Sequence, residues 1–483
     1  MSDTEKYLKK YLKYKNKFVK LKKQNAGKPI KLPDDLQSNI FSLLDYKSIS
    51  RFRTASKSAK SNVRYNYRGC DMKRIIIKLK DWNRIYQNSI CLNISFRDDI
   101  KDTDFDGLNL TNLKILDISF CNRVTDNIFQ YMPNIEELNI KSCGKITNDA
   151  FVYFKKLKKL NMMSCYHITN EYFQYLINIE DLNISSCNLI TDEIFKYLPN
   201  LKILNISNCN LLTDEIFQYL PKLEKLDISN CDQLTDNAFK YLKNIQDLNI
   251  SSCSHITNKA LINLINLKKL DIAFCEQITE IILINFDKLE ELNIQFCSIK
   301  NNGIQNFINL KKLHISNTLN VDMNDDAFNN LTKLEELFIS SCEGITDNAF
   351  RNLTKLEELF ISSCKGITDK AFQNLINLKK FYITYMDITD CVFINLTKLE
   401  DLSVSDCDTI TDNAFEYLQK LKILEISRCN QINDKAFLNM INLEELRITD
   451  CRRIISKSFP NLIKLKHLDI RNLDDFIAED FDY

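Results

Sequence analysis

Residues 187–208 read CNLITDEIFKYLPNLKILNISN, and close relatives of this unit recur along most of the chain. Residues 364–385, CKGITDKAFQNLINLKKFYITY, form a second clean copy. The consensus is C-x-x-I-T-D-x-x-F-x-x-L-x-x-L-x-x-L-x-I-S-x, and the leucine of its L-x-I recurs from Leu92 to Leu468. About eighteen copies with a period of about 22 residues therefore cover most of the chain, which is typical of a solenoid.

The L-x-I part of each copy predicts a short strand. In one copy Leu182 and Ile184 alternate with Asp181, Asn183 and Ser185. A period of two places the apolar residues on a buried face and the polar residues on an outward face. Stacked copies therefore predict a parallel sheet with one continuous polar face.

The T-D part of each copy predicts the start of a short helix. Thr191 or Asp192 can cap its N-terminus, because a side-chain oxygen accepts from an otherwise unpaired backbone N–H. Phe195 and Leu198 lie at i and i+3 on the buried side of that helix, and Cys187 fills the preceding turn. No copy can bury its apolar face alone, so we expect only the stack to fold.

The string L-x-x-L-x-I-S-x-C-x-x-I-T-D resembles the cysteine-containing leucine-rich repeat. The resemblance implies an α/β fold, a leucine-rich-repeat solenoid (horseshoe) with a parallel concave sheet that binds a protein partner. The copies are shorter than the usual helical copies of that family, so we expect their helices to be short.

The 17 cysteines follow the repeat and do not form a metal-binding or disulfide pattern. From Cys121 to Cys297 one cysteine recurs at every 22nd residue, and the series continues at Cys342, Cys364, Cys407, Cys429 and Cys451. Zinc sites need ligands a few residues apart, and no C-x-x-C pair occurs. The series predicts reduced, buried thiols, and we expect neither a metal nor a cofactor.

Residues 28–73 precede the repeats and do not share their pattern. KPIKLPDDLQSNIFSLLDYKSISRFRTASKSAK (residues 28–60) has apolar spacings typical of about three helices. Pro33 stands where a helix could start, and Asp34 and Asp35 suit the positive end of a helix dipole. A helical module of this length is too small to be stable alone, so it should pack on the first repeats or on a partner.

This segment resembles an F-box, a small all-α module, in its Leu32-Pro33-Asp34-Asp35-Leu36 and Ile40-Phe41-Ser42 strings. The resemblance implies docking on the Skp adaptor of cullin–RING ubiquitin ligases. The implied adaptor contacts are Leu32, Pro33, Leu36, Ile40, Phe41 and Leu44. Two features depart from the family: Ala55–Ala59 replaces a segment with a bulky anchor, and Tyr46 replaces a common proline. The alternative is a helical cap that seals the first repeat.

The two ends of the chain differ from the repeats. Residues 1–27 are lysine-rich, with Tyr7, Tyr11, Tyr14 and Phe18 at steps of four and three. This leader resembles those of giant DNA virus proteins, and it favours either a partly disordered extension or contact with itself, nucleic acid or an anionic membrane. Residues 74–91 form a junction with Trp82, residues 92–473 the repeats, and residues 474–483 an acidic tail.

Composition and missing motifs argue against an enzyme. The formal net charge is +1 and only 7 glycines occur, so neither a polyanion-binding protein nor a glycine-rich phosphate loop is expected. The histidines His167, His255, His314 and His467 have no nucleophile in a catalytic context. No secretory signal and no membrane-spanning run is recognisable, which favours a cytoplasmic or nuclear protein.

These features together predict the substrate-recognition subunit of a Skp–cullin–F-box ubiquitin ligase. The alternative is a scaffold or decoy that binds a partner without ubiquitination; a nucleic-acid partner is the weakest hypothesis. The outward column after the strand leucine is Asn or Asp from Asn139 to Asn293, then changes to His314, Phe338, Phe360 and Tyr382. We predict substrate binding at these four residues, the alternative being that the aromatic pairs only strengthen the sheet.

Overall fold

The computed structural model describes residues 69–71, 79, 89–316, 323–454 and 459–471. The chain divides into two compact units, residues 1–223 and 224–483. The leader 1–27, nearly all of the F-box-like segment with its six predicted adaptor contacts, Trp82 and the tail 474–483 lie outside the described residues.

The first unit contains parallel strands that pair in chain order, each copy of the repeat contributing one. They are β1 Gly69–Asp71, β2 Cys91–Asn93, β3 Ile115–Asp117, β4 Glu137–Asn139, β5 Lys159–Asn161, β6 Asp181–Asn183 and β7 Ile203–Asn205. Residues 69–71 were expected to end the helical module, but they form a strand in which Gly69 pairs with Cys91. The described sheet therefore starts before the first recognisable copy.

The second unit continues with the same kind of parallel pairing. Its strands are β8 Lys225–Asp227, β9 Asp247–Asn249, β10 Lys269–Asp271, β11 Glu291–Asn293, β12 Lys312–Ser316, β13 Glu336–Ser340, β14 Glu358–Ser362, β15 Lys380–Thr384, β16 Asp401–Ser405, β17 Ile423–Ser427, β18 Glu445–Thr449 and β19 His467–Arg471. From β12 onward the strands have five residues instead of three.

The helical segment of each copy is short, as predicted, but most copies form a 3-10 helix. These span Asp102–Asp104, Asp126–Tyr131, Asn148–Tyr153, Phe173–Tyr175, Asp192–Tyr197, Asp214–Tyr219, Asp236–Tyr241, Asn301–Gly303, Asp325–Phe328, Asp347–Phe350, Asp369–Phe372, Asp390–Asn395, Asp412–Tyr417, Asp434–Phe437 and Phe459–Asn461. Asn258–Leu261 and Glu280–Leu283 are α-helical. The tighter 3-10 geometry suits segments of one or two turns.

The T-D pair both caps a helix and joins neighbouring copies. The hydroxyl of Thr213 accepts from the backbone N–H of Glu215, as the N-cap prediction requires. The carboxylate of Asp192 accepts from the backbone N–H of Thr213, one copy further on, at 2.9 Å. Thr191 differs, because its side chain makes no cap hydrogen bond and instead accepts from Asn170 Nδ2 at 2.7 Å. The T-D pair therefore caps its own helix in most copies and also links neighbouring copies.

The core consists of the repeated apolar positions. In one copy Leu182, Cys187, Phe195 and Leu198 are all 0% exposed. The sixteen cysteines from Cys91 to Cys451 are reduced thiols, and all but Cys91 and Cys391 are buried. Burial raises the pKa of the Cys187 thiol to about 12, which keeps it protonated. None of the helices in the described part of the chain is long and apolar enough to cross a bilayer.

Candidate partner-binding face

The outward face of each unit is formed by the strand side chains that point away from the core. Its central column is the residue after each strand leucine. In strands β2–β11 this column is always Asn or Asp and in part buried, for example Asn183. The column was predicted to be a plain polar surface, but the structure gives it a structural role.

Each central Asn or Asp ends its own strand. Asn183 Oδ1 accepts from the backbone N–H of Ser185 at 3.0 Å and from its hydroxyl at 2.8 Å. Ser185 is only 1% exposed, so its backbone N–H and hydroxyl depend on Asn183 as their acceptor. The same backbone bond is made by Asn93, Asp117, Asn139, Asn161, Asn205, Asp227, Asn249, Asp271 and Asn293. A side chain that pairs with its own backbone competes with the strand ladder.

The thiols of the repeat cysteines in this region donate hydrogen bonds to a backbone carbonyl just after the strand of the preceding copy. Cys187 Sγ donates to the carbonyl oxygen of Met162 at 3.1 Å, which is in the preceding copy. In the five-residue strands two further residues after the central one remain paired with the next strand: Ile315 pairs with Ile339 and Ser316 with Ser340. There Cys342 Sγ turns to the carbonyl oxygen of Ser340 at 3.3 Å. Across β12–β18 the central residue is no longer Asn or Asp and the strands are longer. The thiols here also donate to the carbonyl at the end of their own strand: Cys429 Sγ lies 3.3 Å from the Ser427 oxygen and 3.5 Å from the Val404 oxygen of the preceding copy.

The structure brings the four predicted substrate-binding residues together on adjacent strands. His314, Phe338, Phe360 and Tyr382 follow one another in register across β12–β15. The rings of Phe338 and Phe360 stack with centroids 4.2 Å apart and planes 3° apart. The His314 ring lies 5.7 Å from that of Phe338. All four side chains are partly exposed, so they form one aromatic row on the outward face.

Charged groups hold both ends of this row. Glu336 pairs with Lys312 at 2.6 Å and lies 3.2 Å from His314 Nε2. Burial acts to raise the pKa of Glu336, but the hydrogen bonds from Lys312 and His314 outweigh it and keep the pKa below its usual value. At the other end the Tyr382 hydroxyl donates to Asp401 Oδ2 at 2.9 Å. Burial, followed by this bond to a carboxylate, raises the pKa of Tyr382, so the phenol stays neutral.

A second aromatic pair on the same unit was missed by the sequence reasoning. Phe274 and Phe296, at the ends of β10 and β11, stack with centroids 4.4 Å apart. Phe274 is 53% exposed. The sequence signal was the residue before each repeat cysteine, which is Ser or Asn in many copies and Phe at Phe120, Phe274 and Phe296.

The described residues hold no group of three or more His, Cys, Asp or Glu side chains placed to bind a metal. His314 contacts the carboxylate of Glu336 and the ring of Phe338. Stacked rings and paired charges on an open face are suited to binding a macromolecule.

Comparison with known protein families gives two matches. The BspA type leucine rich repeat region matches residues 82–202, 167–293, 277–400 and 386–481. The F-box domain matches residues 30–70, which confirms the sequence-based identification of this module. No curated protein matches the chain.

Several solved structures are similar. A leucine-rich-repeat protein of Leptospira interrogans is 21% identical with a TM-score of 0.50, over 74% of this chain and 96% of that one. The TLR13 chain of a TLR13–ssRNA13 complex is 21% identical with a TM-score of 0.49, over 77% and 59%. Toll from the Drosophila Toll–Spatzle complex is 17% identical with a TM-score of 0.47, over 72% and 53%.

The chain thus spans about three fifths of the length of the TLR13 chain and about half that of Toll. The Leptospira structure shows the shared fold alone, a leucine-rich-repeat solenoid. The repeat matches together extend over residues 82–481, well over half of the sequence. The chain belongs to the BspA type leucine rich repeat family, with an F-box domain ahead of the repeats.

Proposed function

We propose that this chain is the substrate-recognition subunit of a Skp–cullin–F-box type ubiquitin ligase. The observation that carries the proposal is the order of the modules: an F-box match at residues 30–70 directly precedes a repeat array with an open aromatic row. The F-box binds a Skp-type adaptor, and through it the cullin. The repeats bind a protein substrate.

The chain then acts as a template and does no chemistry of its own. A substrate held on β12–β15 is kept near the ubiquitin-carrying enzyme that the cullin recruits, which raises its effective concentration. Aromatic side chains are common anchors in protein interfaces, because they bury large areas at low entropic cost. His314, Phe338, Phe360 and Tyr382 are the residues proposed to contact the substrate.

The adaptor half of this proposal is tested by replacing Leu36 and Phe41 with alanine together. We expect the double variant to lose binding to a purified Skp-type adaptor, because both side chains are proposed to be buried against it. Isothermal titration calorimetry measures the binding, and thermal unfolding followed by circular dichroism reports on the repeats.

A matched control is Phe338→Ser with Phe360→Ser, which should bind the adaptor as the unmodified chain does. If the unmodified chain does not bind the adaptor, the ligase proposal is wrong and a scaffold without ubiquitination is favoured. If Leu36→Ala with Phe41→Ala also lowers the unfolding temperature of the repeats strongly, the segment is a cap for the first copy.

A further inference from the structure

Within the described residues, each unit has one pair of stacked phenylalanines that lies just after the ends of two neighbouring strands. In the first unit the rings of Phe96 and Phe120 are 4.5 Å apart with planes 14° apart; for Phe274 and Phe296 in the second unit the values are 4.4 Å and 12°. All four residues have φ between 57° and 62°. A left-handed backbone is unfavourable for a bulky side chain. Most other copies place a small or polar residue there, such as Ser186, Asn208, Ser252 and Ser341.

The two phenylalanine pairs differ in the neighbouring residue of the next copy, whose carbonyl accepts from the backbone N–H of the second phenylalanine. The backbone N–H of Phe120 donates to the carbonyl oxygen of Lys141 at 2.9 Å, and Lys141 Nζ lies 5.5 Å from the Phe120 ring centroid. The backbone N–H of Phe296 donates in the same way to Ser316 at 3.0 Å. Ser316 therefore occupies the position of Lys141. The first pair carries a cation–π contact from its own chain.

The pair in the second unit has no such cation. Within the described residues, the lysines that lie over aromatic rings are Lys141, Lys196 and Lys240, and their rings are Phe120, Tyr197 and Tyr241. The hydroxyl of Ser316, which is 4% exposed, makes no hydrogen bond in the described part of the chain.

A cavity of about 340 Å³ lies on the outward face of strands β8–β13, which include the strands that precede Phe274 and Phe296. The side chains that line it have a net negative charge. Its three lysines each pair with a carboxylate: Lys225 with Asp247 at 2.5 Å, Lys269 with Glu291 at 2.7 Å and Lys312 with Glu336 at 2.6 Å. Asp227 and Asp271 also line the cavity, so five carboxylates face three lysines, which gives a net formal charge of −2.

Asp271 links this cavity to the aromatic pair, because it lies on the same strand-to-turn segment as Phe274. Burial raises the pKa of Asp271, and a nearby cation would oppose that rise.

We propose that the outward face of β8–β13 binds a basic segment of a partner protein, with a lysine or arginine side chain of that segment against the Phe274–Phe296 pair and the acidic cavity. This inference rests on the proposed function and narrows its substrate class. Lys141 over Phe120 is the internal example of the contact. The aromatic row begins on β12 and β13 of the same face, at His314 and Phe338, so one extended segment could contact both.

The test uses the purified full-length chain without adaptor and a fluorescently labelled peptide of alternating lysine and alanine. Matched peptides carry glutamine or glutamate in place of lysine. We expect fluorescence anisotropy to show binding of the lysine peptide only, and this binding should weaken as salt is added.

Two double variants of the chain separate the charge from the rings. Asp227→Asn with Asp271→Asn removes two charges but keeps the turn, since Asn249 and Asn293 make the equivalent bonds at 3.0 and 3.1 Å. Phe274→Ser with Phe296→Ser removes the rings and introduces a residue that other copies use. We expect each to weaken binding of the lysine peptide about tenfold. The control, Phe96→Ser with Phe120→Ser in the first unit, should change it less than about twofold.

Three results would overturn the inference: equal binding of the glutamine peptide, an equal loss in the first-unit control, or no binding of the lysine peptide. If the Phe274 and Phe296 variant does not fold, the asparagine variant decides alone. The peptide experiment contains no adaptor. A negative result in it therefore does not affect the adaptor test with Leu36→Ala and Phe41→Ala. The two proposals therefore fail separately.

Discussion

Replacing Phe195 with alanine is expected to lower the free energy of unfolding by about 3–5 kcal/mol. Phe195 is 0% exposed and lies in the 3-10 helix Asp192–Tyr197. The substitution removes a large buried ring and leaves a cavity that neighbouring copies fill only in part. Because each copy contacts only its neighbours, the loss weakens the contacts on both sides of the copy.

Urea denaturation followed by circular dichroism measures this change. The matched control is Lys196→Ala on the exposed side of the same helix, for which we expect a change within about 0.5 kcal/mol. A loss below about 1 kcal/mol for Phe195→Ala would contradict the packing described for this copy.

Replacing Asn183 with alanine is expected to cost about 2–4 kcal/mol, although this side chain is on the outward face. The substitution leaves the backbone N–H and the hydroxyl of Ser185 without their acceptor, and Ser185 is 1% exposed. A buried donor without a partner is costly because it has lost its water as well.

Asn183→Asp is the control for this prediction, because it keeps the accepting oxygen. Asp117 is found at the same position in β3 and accepts from the N–H and hydroxyl of Ser119 at 3.0 and 2.6 Å. We expect the aspartate variant to stay within about 1 kcal/mol of the unmodified chain in the same denaturation experiment. Equal losses for alanine and aspartate would show that the capping hydrogen bonds are not the cause.

The repeat pattern predicted the strands and the buried positions because both depend on the alternation of apolar and polar residues. Leu182, Ile184 and Phe195 are buried as that alternation requires. The pattern did not predict the capping role of Asn183. An outward polar residue gives the same sequence pattern whether its side chain is hydrated or accepts from its own backbone. The serine two residues later was the available signal. The 3-10 form of the helices was missed because an i+3 spacing fits both helix types.

The aromatic row could be predicted from the sequence because its members share one column of the repeat. The stacking of Phe274 on Phe296 was not predicted, because these residues lie after the strands, where the alternation of apolar and polar residues no longer applies. The sequence shows that Lys141 and Ser316 are equivalent, since each directly follows an L-x-I string. The contact of Lys141 with the Phe120 ring is seen only in the structure.

The most direct test of the central claim, that adaptor and substrate bind to separate parts of the chain, is capture on immobilised Skp-type adaptor. The chain is added to cell extract with and without Phe338→Ser, Phe360→Ser and Tyr382→Ser, and quantitative mass spectrometry measures the proteins retained. We predict that the triple variant stays on the adaptor in full amount but loses the proteins that the unmodified chain brings with it. An unchanged set of proteins in unchanged amounts would contradict the account.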